Sequence, residues 1–461
     1  MLDAVGALDY HRLTEHRPGH RLADDPRIVR SFRPMAWEHR PPPFKAYPGR
    51  EIVPLPADLA ADRLGRLLFL SAGVVRRMDA LGGTLWFRAA GSAGNLAPVE
   101  VYVVDAAGVF HYQPRDHALV RIGEGVPGTG RALVLTGVAW RTCWKYRERG
   151  FRHLWWDAGT MLAQVLELEP EARVQLGFVD DAVAALVGAR APGEIPLAVV
   201  PLDGTPLDLA GRRRLPAARG ELGPPATVFP LVTAAAAAGA LAAPAAVEGW
   251  RAAGAAACHP APTTGHRLGT PIEDVIRRRG STRQFAPGRP APAELLTGAL
   301  PWAARQVPWD LGEGTLLGHD VLVHDVEGFE PGGYRLGPEG TRLLAAGDVR
   351  GAGRHLCLDQ DLGGDGAFTV FSGAELEPVV TALGDRGYRA AQLESGIVAG
   401  RLHLAAYGCG LGATGLTFFD EGVRRFFDTQ ASPMLVTAVG APAYRSRPGG
   451  LPGRPVVMVG R

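Results

Sequence analysis

Lysine is nearly absent from this sequence. Only Lys45 and Lys145 occur, although lysine and arginine together number 49. A genome rich in G and C explains this bias, because arginine codons then replace lysine codons wherever a generic positive charge is enough. Arginine cannot replace a titratable amine. A lysine that remains in such a chain is therefore a candidate for chemistry that arginine cannot perform.

Cysteine pairs and long apolar runs are also missing. The four cysteines are widely spaced and form no CxxC pair, which argues against a disulfide framework or a zinc site and favours a reducing compartment. No apolar stretch reaches the ~18 residues of a spanning helix, and the N-terminus lacks the layout of a signal peptide. A net charge of +2 implies neither nucleic acid nor an anionic membrane as a partner. We expect a cytoplasmic protein without a metal.

Two parts of the chain resemble each other. LVLTG at 133–137 precedes a helical pattern at 147–166, as FTVFSG at 368–373 precedes one at 384–406. The helical patterns match at a constant offset of 237 positions, which pairs Arg149, Gly150, Arg152, Asp157 and Gly159 with Arg386, Gly387, Arg389, Glu394 and Gly396. GFVDDAVAALVG at 177–188 then matches TFFDEGVRRFF at 417–427. Ordered repetition indicates a duplicated α+β unit, and two copies in one chain would form a joined dimer about a pseudo-two-fold axis.

A stretch rich in alanine, proline and glycine separates the two similar parts. Proline and glycine interrupt its alanines and break any long helix, so we interpret the stretch as a linker. The chain then divides into an N-terminal arm, a first half, a linker and a second half, at 1–60, 61–202, 203–268 and 269–461. Lys45 lies in a proline-bounded segment of the arm and is expected to have a structural or surface role. Arg149 and Arg152 are expected to have a structural role, because both are repeated.

The second half carries three recognisable segments. PIEDVIRRRGSTRQF at 271–285 resembles the opening of the nitroreductase superfamily, a helix that ends in R-R-x-S-x-R-x-F. GIVAGRLHLAAYGCGLGATGL at 396–416 resembles the core helix and Gly-Leu-Gly turn of that superfamily, and TAVGAPAYRSRPGG at 437–450 resembles its terminal strand and basic tail. The resemblance implies a site for the phosphate of flavin mononucleotide (FMN), built from Arg279, Ser281, Arg283, Arg445 and Arg447. Guanidinium and hydroxyl groups suit a phosphate dianion.

The same resemblance places part of the flavin ring against the second half. It implies contacts from Gly412, Thr414 and Gly415, where small residues permit close approach of the backbone. An amide of Thr414 or Gly415 would reach flavin N5.

The first half carries a complementary set of segments. LWFRAAGSAGNLAPVEVYVVD at 85–105 is similar to the P-S-x-x-N-x-x-P segment of the superfamily, with Gly91 in place of the usual proline. The segments at 10–56, 108–122 and 135–159 resemble the SagB-type (thiazole/oxazole-forming) dehydrogenases. This resemblance implies ring contacts from Arg88, Ser92, Gly94 and Asn95, and a catalytic pair formed by Lys145 and Tyr146. The implied fold class is α+β, with two tandem nitroreductase-like domains, each a mainly antiparallel sheet flanked by helices, forming an intrachain pseudo-dimer.

The motifs are divided unequally between the halves. The first half lacks an R-x-S-x-R motif and a Gly-Leu-Gly turn, and the second lacks a Ser-x-x-Asn segment and a Lys-Tyr pair. One composite site should therefore survive, with phosphate anchors from the second half and ring contacts and catalytic residues from the first. The opposite interface site should bind no flavin.

Three functions are compatible with these motifs. The first is an FMN-dependent dehydrogenase or oxidase that transfers hydride between flavin N5 and a peptide-derived or small natural-product substrate, an azoline being one candidate. A partly buried Lys145 amine would then handle the proton, with Tyr146 beside it. The alternatives are an NAD(P)H-dependent nitro or quinone reductase and a cofactor-free scaffold subunit of a peptide-modifying complex. The Lys-Tyr pair favours the first function, because a plain reductase needs no dedicated base. The sequence leaves the substrate, further dimerisation and membership of a biosynthetic complex open.

Overall fold

The computed structural model describes residues 5–18, 37–80, 83–209, 216–223, 229–267 and 269–458. Parts of the predicted arm and linker lie outside these ranges. The strands of the described residues are β1 (Ile52–Pro54), β2 (Val74–Ala80), β3 (Gly83–Arg88), β4 (Val99–Val104), β5 (Val109–Gln113), β6 (Ala118–Gly123), β7 (Ala132–Val138), β8 (Glu194–Pro201), β9 (Gly318–Val323), β10 (Gly332–Gly337), β11 (Gly340–Ala346), β12 (Phe368–Ala374), β13 (Gly412–Leu416), β14 (Ser432–Gly440) and β15 (Val456–Met458).

Helices connect and cover these strands. In chain order they are α1 (Ala7–Leu13), α2 (Arg63–Ala72), α3 (Ala139–Tyr146), α4 (Gly150–Leu168), α5 (Asp180–Leu186), α6 (Pro230–Ala238), α7 (Pro244–Ala257), α8 (Ile272–Arg278), α9 (Leu300–Ala303), α10 (Arg350–Leu356), α11 (Leu362–Asp365), α12 (Leu376–Gly408) and α13 (Asp420–Phe427). Across the described residues, no helix combines the length and the apolar character that a membrane crossing requires.

Two larger sheets repeat one topology. The first sheet has the order β1-β6-β5-β4-β7-β8, and the second has the order β11-β10-β9-β12-β14-β13. All neighbouring strands within these sheets are antiparallel. Strands β6-β5-β4-β7-β8 therefore correspond to β11-β10-β9-β12-β14. The predicted fold class, two nitroreductase-like α+β halves with antiparallel sheets flanked by helices, is confirmed.

The halves are joined at their periphery as well as at their centre. The arm contributes β1 to the edge of the first sheet. Strand β15, from the end of the second half, pairs in parallel with β2 of the first half and extends the β2–β3 hairpin. Lys45 of the arm is buried, and its Nζ contacts Glu194 Oε2 at 2.6 Å and the Tyr102 hydroxyl at 2.8 Å. Lys45 therefore has a structural role.

The two long helices α4 and α12 cross between the sheets with no room for side chains at the crossing. A Cβ added to Gly159 would lie 2.6 Å from Gly396 Cα, and a Cβ added to Gly396 would lie 3.0 Å from Gly159 Cα. Helix α4, and α12 from Arg386 to Gly408, are buried over nearly their whole surface, as expected for helices that are packed on all sides. The two glycines are equivalent in the repeat, so the crossing marks the pseudo-two-fold axis.

A pair of exchanged ion-pair clusters flanks this crossing. Asp420 of the second half receives hydrogen bonds from Arg152 Nη1 at 2.8 Å and Arg149 Nη1 at 3.2 Å. Asp180 of the first half receives hydrogen bonds from the matching arginines, from Arg386 Nη1 at 2.7 Å and from Arg389 Nη1 at 3.0 Å. Each half thus binds its arginines to the aspartate of the other half. The structural role predicted for Arg149 and Arg152 is confirmed.

The alanine-rich stretch that the sequence suggested as a linker contains two short helices, α6 and α7, rather than only irregular chain. Each begins with proline at its first positions, where the missing N–H costs nothing. Leu231 and Val232 of α6 are buried in the core, as is Trp250 of α7. These helices are therefore part of the packed body, because their large apolar side chains are buried.

The exchanged ion pairs should stabilise the pseudo-dimer. We predict that Asp420→Ala lowers the free energy of unfolding by about 3–5 kcal/mol, because it leaves two buried guanidinium groups without their carboxylate. Urea denaturation measures this loss. Glu421→Ala is the control, because Glu421 is exposed and pairs with exposed Arg425. Its effect should stay within about 0.5 kcal/mol. Equal effects of the two substitutions would contradict the assignment.

Candidate functional site

A tight turn before β4 presents the residues of the Ser-x-x-Asn segment. Ser92 Oγ donates to Asp157 Oδ2 at 2.6 Å, and the Ala93 amide donates to Asp157 Oδ1 at 2.9 Å. Gly94 and Asn95 have φ values of 60° and 55°, so the turn runs through the left-handed region. Asn95 Nδ2 is buried and has no hydrogen-bond partner among the described residues. Helix α4 therefore fixes the turn through Asp157 and leaves a polar atom of Asn95 free.

Lys145 and Tyr146 lie directly against this turn. Helix α3 ends at Tyr146, and Arg147 follows with a φ of 52°. A Cβ added at Gly94 would lie 3.0 Å from the Tyr146 hydroxyl and 3.3 Å from Lys145 Nζ. Lys145 Nζ also lies 5.4 Å from the centroid of the Tyr146 ring. Because Gly94 has no side chain, the Lys145 amine and the Tyr146 hydroxyl can both lie against the turn.

The environments of the two groups differ. Burial raises the pKa of Tyr146 to about 12, and Arg283 of the second half acts in the opposite direction. The phenol is therefore a hydrogen-bond donor at neutral pH. The expectation that Lys145 is partly buried is wrong, because its side chain is exposed. It lies near the end of α3, where the chain turns away at Arg147.

Arg279 of the second half lies in the same site. Its side chain is buried, and Nε and Nη2 donate to the Ala89 carbonyl at 3.0 Å and 2.8 Å. Nη1 lies 3.4 Å from the position of a Cβ at Gly91. Burial lowers the pKa of Arg279 to about 10, so it remains a cation at neutral pH. Arg279 thus holds the strand that leads into the Ser92–Asn95 turn.

The other predicted phosphate anchors lie on two adjacent segments of the second half. The segments pair through the Phe285–Pro442 bridge, and the Arg283 amide donates to the Tyr444 hydroxyl at 3.0 Å. The four anchors on them, Ser281, Arg283, Arg445 and Arg447, are all exposed. We name these four residues the cationic rim. Their exposure leaves them available to an anion.

Sequence analysis missed Arg76, which connects the cationic rim to the first half. Arg76 Nη2 donates to the carbonyls of Arg277, Arg278 and Arg447 at 2.7, 3.2 and 2.9 Å, and Nη1 donates to that of Arg279 at 3.1 Å. One guanidinium of β2 thus ties together the two segments that carry the rim. No sequence signal marks Arg76, because its partners are backbone atoms more than 200 residues away.

Two predicted ring contacts have a different explanation in the structure. Arg88 is buried and donates to the carbonyls of Val99 at 2.8 Å and Pro43 at 2.9 Å, so it supports the backbone. Gly412 is also buried, and Thr282 Oγ1 fills the space of its missing side chain. Gly415, in contrast, is exposed and Thr414 is buried. Both lie on β13, which is an edge strand of the second sheet, so alternate amides of β13 face away from the sheet.

The second half contains a counterpart of the Ser92 turn that its sequence does not reveal. Thr315 Oγ1 donates to Glu394 Oε1 at 2.6 Å, and the Leu316 amide donates to Glu394 Oε2 at 2.9 Å. Glu394 matches Asp157 in the repeat, so Thr315 takes the place of Ser92 and Gly314 that of Gly91. The position that matches Asn95 is Gly318, three residues after Thr315, so the second half lacks the asparagine side chain.

The chain's own linker covers this second position. The amide of His259 donates to the Thr315 carbonyl at 3.0 Å, and the amide of Thr315 donates to the His259 carbonyl at 2.9 Å. A Cβ at Gly314 would lie 3.0 Å from Cys258 Cβ. Trp250 Nε1 donates to the carbonyl of Leu383, the counterpart of Tyr146, at 3.1 Å. The linker therefore occupies the second interface position.

The described residues hold no cluster of three or more metal-ligating side chains.

Comparison with known proteins agrees with this architecture. A protein of Methanocaldococcus jannaschii, named as a nitroreductase, is 29% identical over 181 residues, which cover 37% of this chain and 90% of that protein. A crystal structure from Anabaena variabilis, also named as a nitroreductase, superposes with a TM-score of 0.75 at 25% identity and covers 95% of this chain and 99% of its own. No protein-family model matches the chain. A chain of the Escherichia coli microcin synthetase McbBCD complex is 20% identical, covers 43% of this chain and 82% of its own, and has a TM-score of only 0.25.

The relative and the full-length structural match support placing this chain in the nitroreductase superfamily. The Anabaena structure covers both halves, so the tandem arrangement is not peculiar to this chain.

Asp157 should make the stability of the protein depend on pH. Burial raises its pKa to about 7, above the ~3.9 of an unfolded aspartate. Its stabilising contribution is therefore complete below about pH 4 and is lost as the pH rises towards 7. We predict that the free energy of unfolding of the wild type, relative to Asp157→Asn, falls by on the order of 3 kcal/mol over this interval. Urea denaturation across pH measures the difference.

The pseudo-equivalent carboxyl provides a parallel test. Burial also raises the pKa of Glu394 to about 7, so Glu394→Gln should show the same trend. A pH-independent difference between the wild type and Asp157→Asn would contradict the prediction.

Proposed function

We propose that this chain is an FMN-dependent dehydrogenase or oxidase with a single flavin site between its halves. One observation carries the proposal. Lys145, Tyr146 and the Ser92–Asn95 turn of the first half converge with Arg279 and Arg283 of the second. The proposed catalytic amine lies on one side of the interface between the halves, and arginines that can bind a phosphate lie on the other side. A flavin that bridges the two halves requires both.

The residues present fit FMN. The cationic rim offers exposed guanidinium groups and a hydroxyl, and Arg76 holds the backbone at Arg447 and just before Ser281. Arginine binds phosphate through paired, charge-assisted hydrogen bonds. The free Nδ2 of Asn95 is a donor that suits a ring carbonyl of the flavin, and its burial makes an unfilled hydrogen bond costly. The exposed backbone of Gly415 lets a planar ring approach the edge of β13.

FMN, when bound, supplies the hydride acceptor for a two-electron oxidation. The chain handles the proton. Lys145 Nζ lies beside Gly94, in the turn that would touch the ring, where it would take up the proton that a substrate releases. Tyr146 keeps its own proton at neutral pH and donates a hydrogen bond next to the amine. In an azoline ring, one of the two adjacent saturated carbons would lose a proton to the amine and the other would lose hydride to the flavin, so that a carbon–carbon double bond forms between them.

An NAD(P)H-dependent nitro or quinone reductase is the second candidate. The names of the Methanocaldococcus and Anabaena proteins favour it. The Lys145–Tyr146 pair favours the dehydrogenase, because reduction by a nicotinamide needs no dedicated base. A peptide or other small natural product remains our proposed substrate, within or outside a biosynthetic complex.

A single flavin per chain follows from the position of the linker. At the counterpart of the Ser92 turn, Cys258 and His259 fill the space beside Gly314, and their backbone takes up the hydrogen bonds of Thr315. Neither an amine nor a phenol stands there, because Ala382 and Leu383 replace Lys145 and Tyr146.

Flavin binding tests which residues bind the phosphate of FMN and how many flavins each chain binds. We predict one FMN per chain by absorbance against protein concentration. Arg283→Ala should weaken FMN binding roughly tenfold, because one charge-assisted hydrogen bond to the phosphate is lost. The affinity for riboflavin, which has no phosphate, should not change. Fluorescence titration of both flavins measures the two affinities.

The control for this measurement is Arg115→Ala, since Arg115 is exposed and pairs with Asp116. It should leave both affinities unchanged. Two flavins per chain, or a protein that stays colourless with added FMN, would refute the proposed site. An equal loss of affinity for FMN and riboflavin would refute the phosphate role of Arg283.

Substitution of Lys145 tests the reaction. We predict that Lys145→Ala retains flavin but lowers the rate of flavin reduction by at least about 100-fold, the usual contribution of a general base. Lys145→Arg should not restore the rate, because a guanidinium does not release its proton near neutral pH. Anaerobic stopped-flow with a short thiazoline-containing peptide measures the rate as bleaching of the flavin.

The same instrument distinguishes the second candidate. Rapid bleaching by NADPH that is unaffected by Lys145→Ala, together with no bleaching by the thiazoline peptide, would establish the reductase and overturn the dehydrogenase.

A further inference from the structure

His153 lies beneath Tyr146 and is absent from the motifs considered so far. It is on α4, one helical turn before Asp157, and only 1% of its surface is exposed. Its ring centroid lies 3.9 Å from that of Tyr146, with the planes tilted by 40°. On its other side, the ring of Trp156 lies 4.4 Å away and nearly perpendicular, at 89°. His153 therefore packs between Tyr146 and Trp156.

This stack reaches from the site into the other half. Trp156 Nε1 donates to Gln392 Oε1 of α12 at 2.6 Å. Trp156 is also packed against Ala399 and Leu435 of the second half. The ring of Tyr146 is thus supported through two aromatic contacts by a hydrogen bond that crosses the pseudo-dimer interface.

The contacts that hold His153 are those of its ring. Neither Nδ1 nor Nε2 has a hydrogen-bond partner in the described part of the chain. Burial lowers the pKa of His153 well below its ordinary value, and Arg149, Arg152, His16 and Lys145 act in the same direction. The imidazole is therefore neutral, because a further positive charge would be buried among existing cations. A buried group with two unpaired nitrogens is costly, so its retention calls for an explanation.

Comparison of the two halves indicates that this aromatic stack serves the candidate site and not the structure that both halves share. The positions that match Tyr146, His153 and Trp156 in the second half are Leu383, Ala390 and Leu393. Residues that maintain the frame, such as the arginine pairs and the crossing glycines, are kept in both halves. The aromatic stack occurs only in the half that carries Lys145.

We propose that His153 is a positioning residue that holds the Tyr146 ring, and through it the Lys145 amine, over the Ser92–Asn95 turn. His153 acts through the packing of its ring against Tyr146 and not through hydrogen bonds of its nitrogens. The inference rests on the proposed function for its effect on turnover, whereas its effect on Lys145 is independent of any reaction. Phenylalanine should replace histidine at this position, and leucine should not.

The first measurement follows the reaction. In anaerobic flavin reduction by the thiazoline peptide, we expect His153→Leu to lower the limiting rate roughly tenfold without a change in the peptide concentration for half-maximal rate or in flavin content. His153→Phe should restore most of the rate, because it provides a flat ring of similar size. A role of the imidazole nitrogens would instead make both variants equally slow, and this would overturn the proposal.

The second measurement needs no turnover. Reductive methylation with ¹³C-formaldehyde labels amines, and this chain has only two lysines, of which Lys45 is buried in an ion pair. The Lys145 signal is assigned by its loss in Lys145→Arg. Because Lys145 Nζ lies 5.4 Å from the Tyr146 ring, displacement of that ring should shift the signal in His153→Leu. The signal should stay in place in His153→Phe.

The control is His324→Leu. His324 is another buried histidine, it contacts the Gly363 carbonyl, and it touches none of the site residues. This variant should lose stability but keep both the flavin reduction rate and the Lys145 signal. An unmoved Lys145 signal in His153→Leu would overturn the positioning role, whatever the activity. A wild-type protein that fails to bind FMN would refute the proposed function and leave the signal shifts as a valid test.

Discussion

The contact between Gly159 and Gly396 is the constraint on which the rest of the structure depends. Only where both side chains are hydrogen can two helix backbones approach this closely, and a protein interior has little spare volume to absorb a larger group. The crossing brings α4 and α12 side by side, so that Asp157 and Glu394 each reach a turn of their own half. It also sets the separation over which arginines of one half reach an aspartate of the other.

Asymmetry has been added to this symmetric frame at few positions. The carboxyl that receives a hydroxyl and a backbone amide is present in both halves, with Ser92 in one and Thr315 in the other. The amine and the phenol are present in the first half alone, while the second half supplies the cationic rim. The turn at Ser92 is open, whereas the linker covers the equivalent turn at Thr315. A segment of the chain itself therefore occupies the second copy of the interface site.

Local patterns predicted those features that depend on neighbours in sequence. The strands at 133–137 and 368–373, the two long helices and the structural role of Arg149 and Arg152 follow from periodicity and repetition, which short stretches of sequence contain. Arg76 could not be predicted, because it binds carbonyl oxygens, which every residue has. The packing at Gly412 was equally hidden, since the hydroxyl that fills the space of its missing side chain comes from Thr282, remote in sequence. The exposure of Lys145 depends on where α3 ends relative to the opposite half.

The sequence by itself determined the duplicated α+β architecture, the division of motifs between the halves and the rarity of lysine that drew attention to Lys145. These are properties of residue type and spacing, which the chain carries before it folds. Only the tertiary structure decided which groups meet, namely that Tyr146 rests on His153, that Thr315 repeats Ser92, and that the linker covers the second turn. Such contacts join residues that are far apart in the chain, and packing of whole helices and sheets, rather than local preference, selects them.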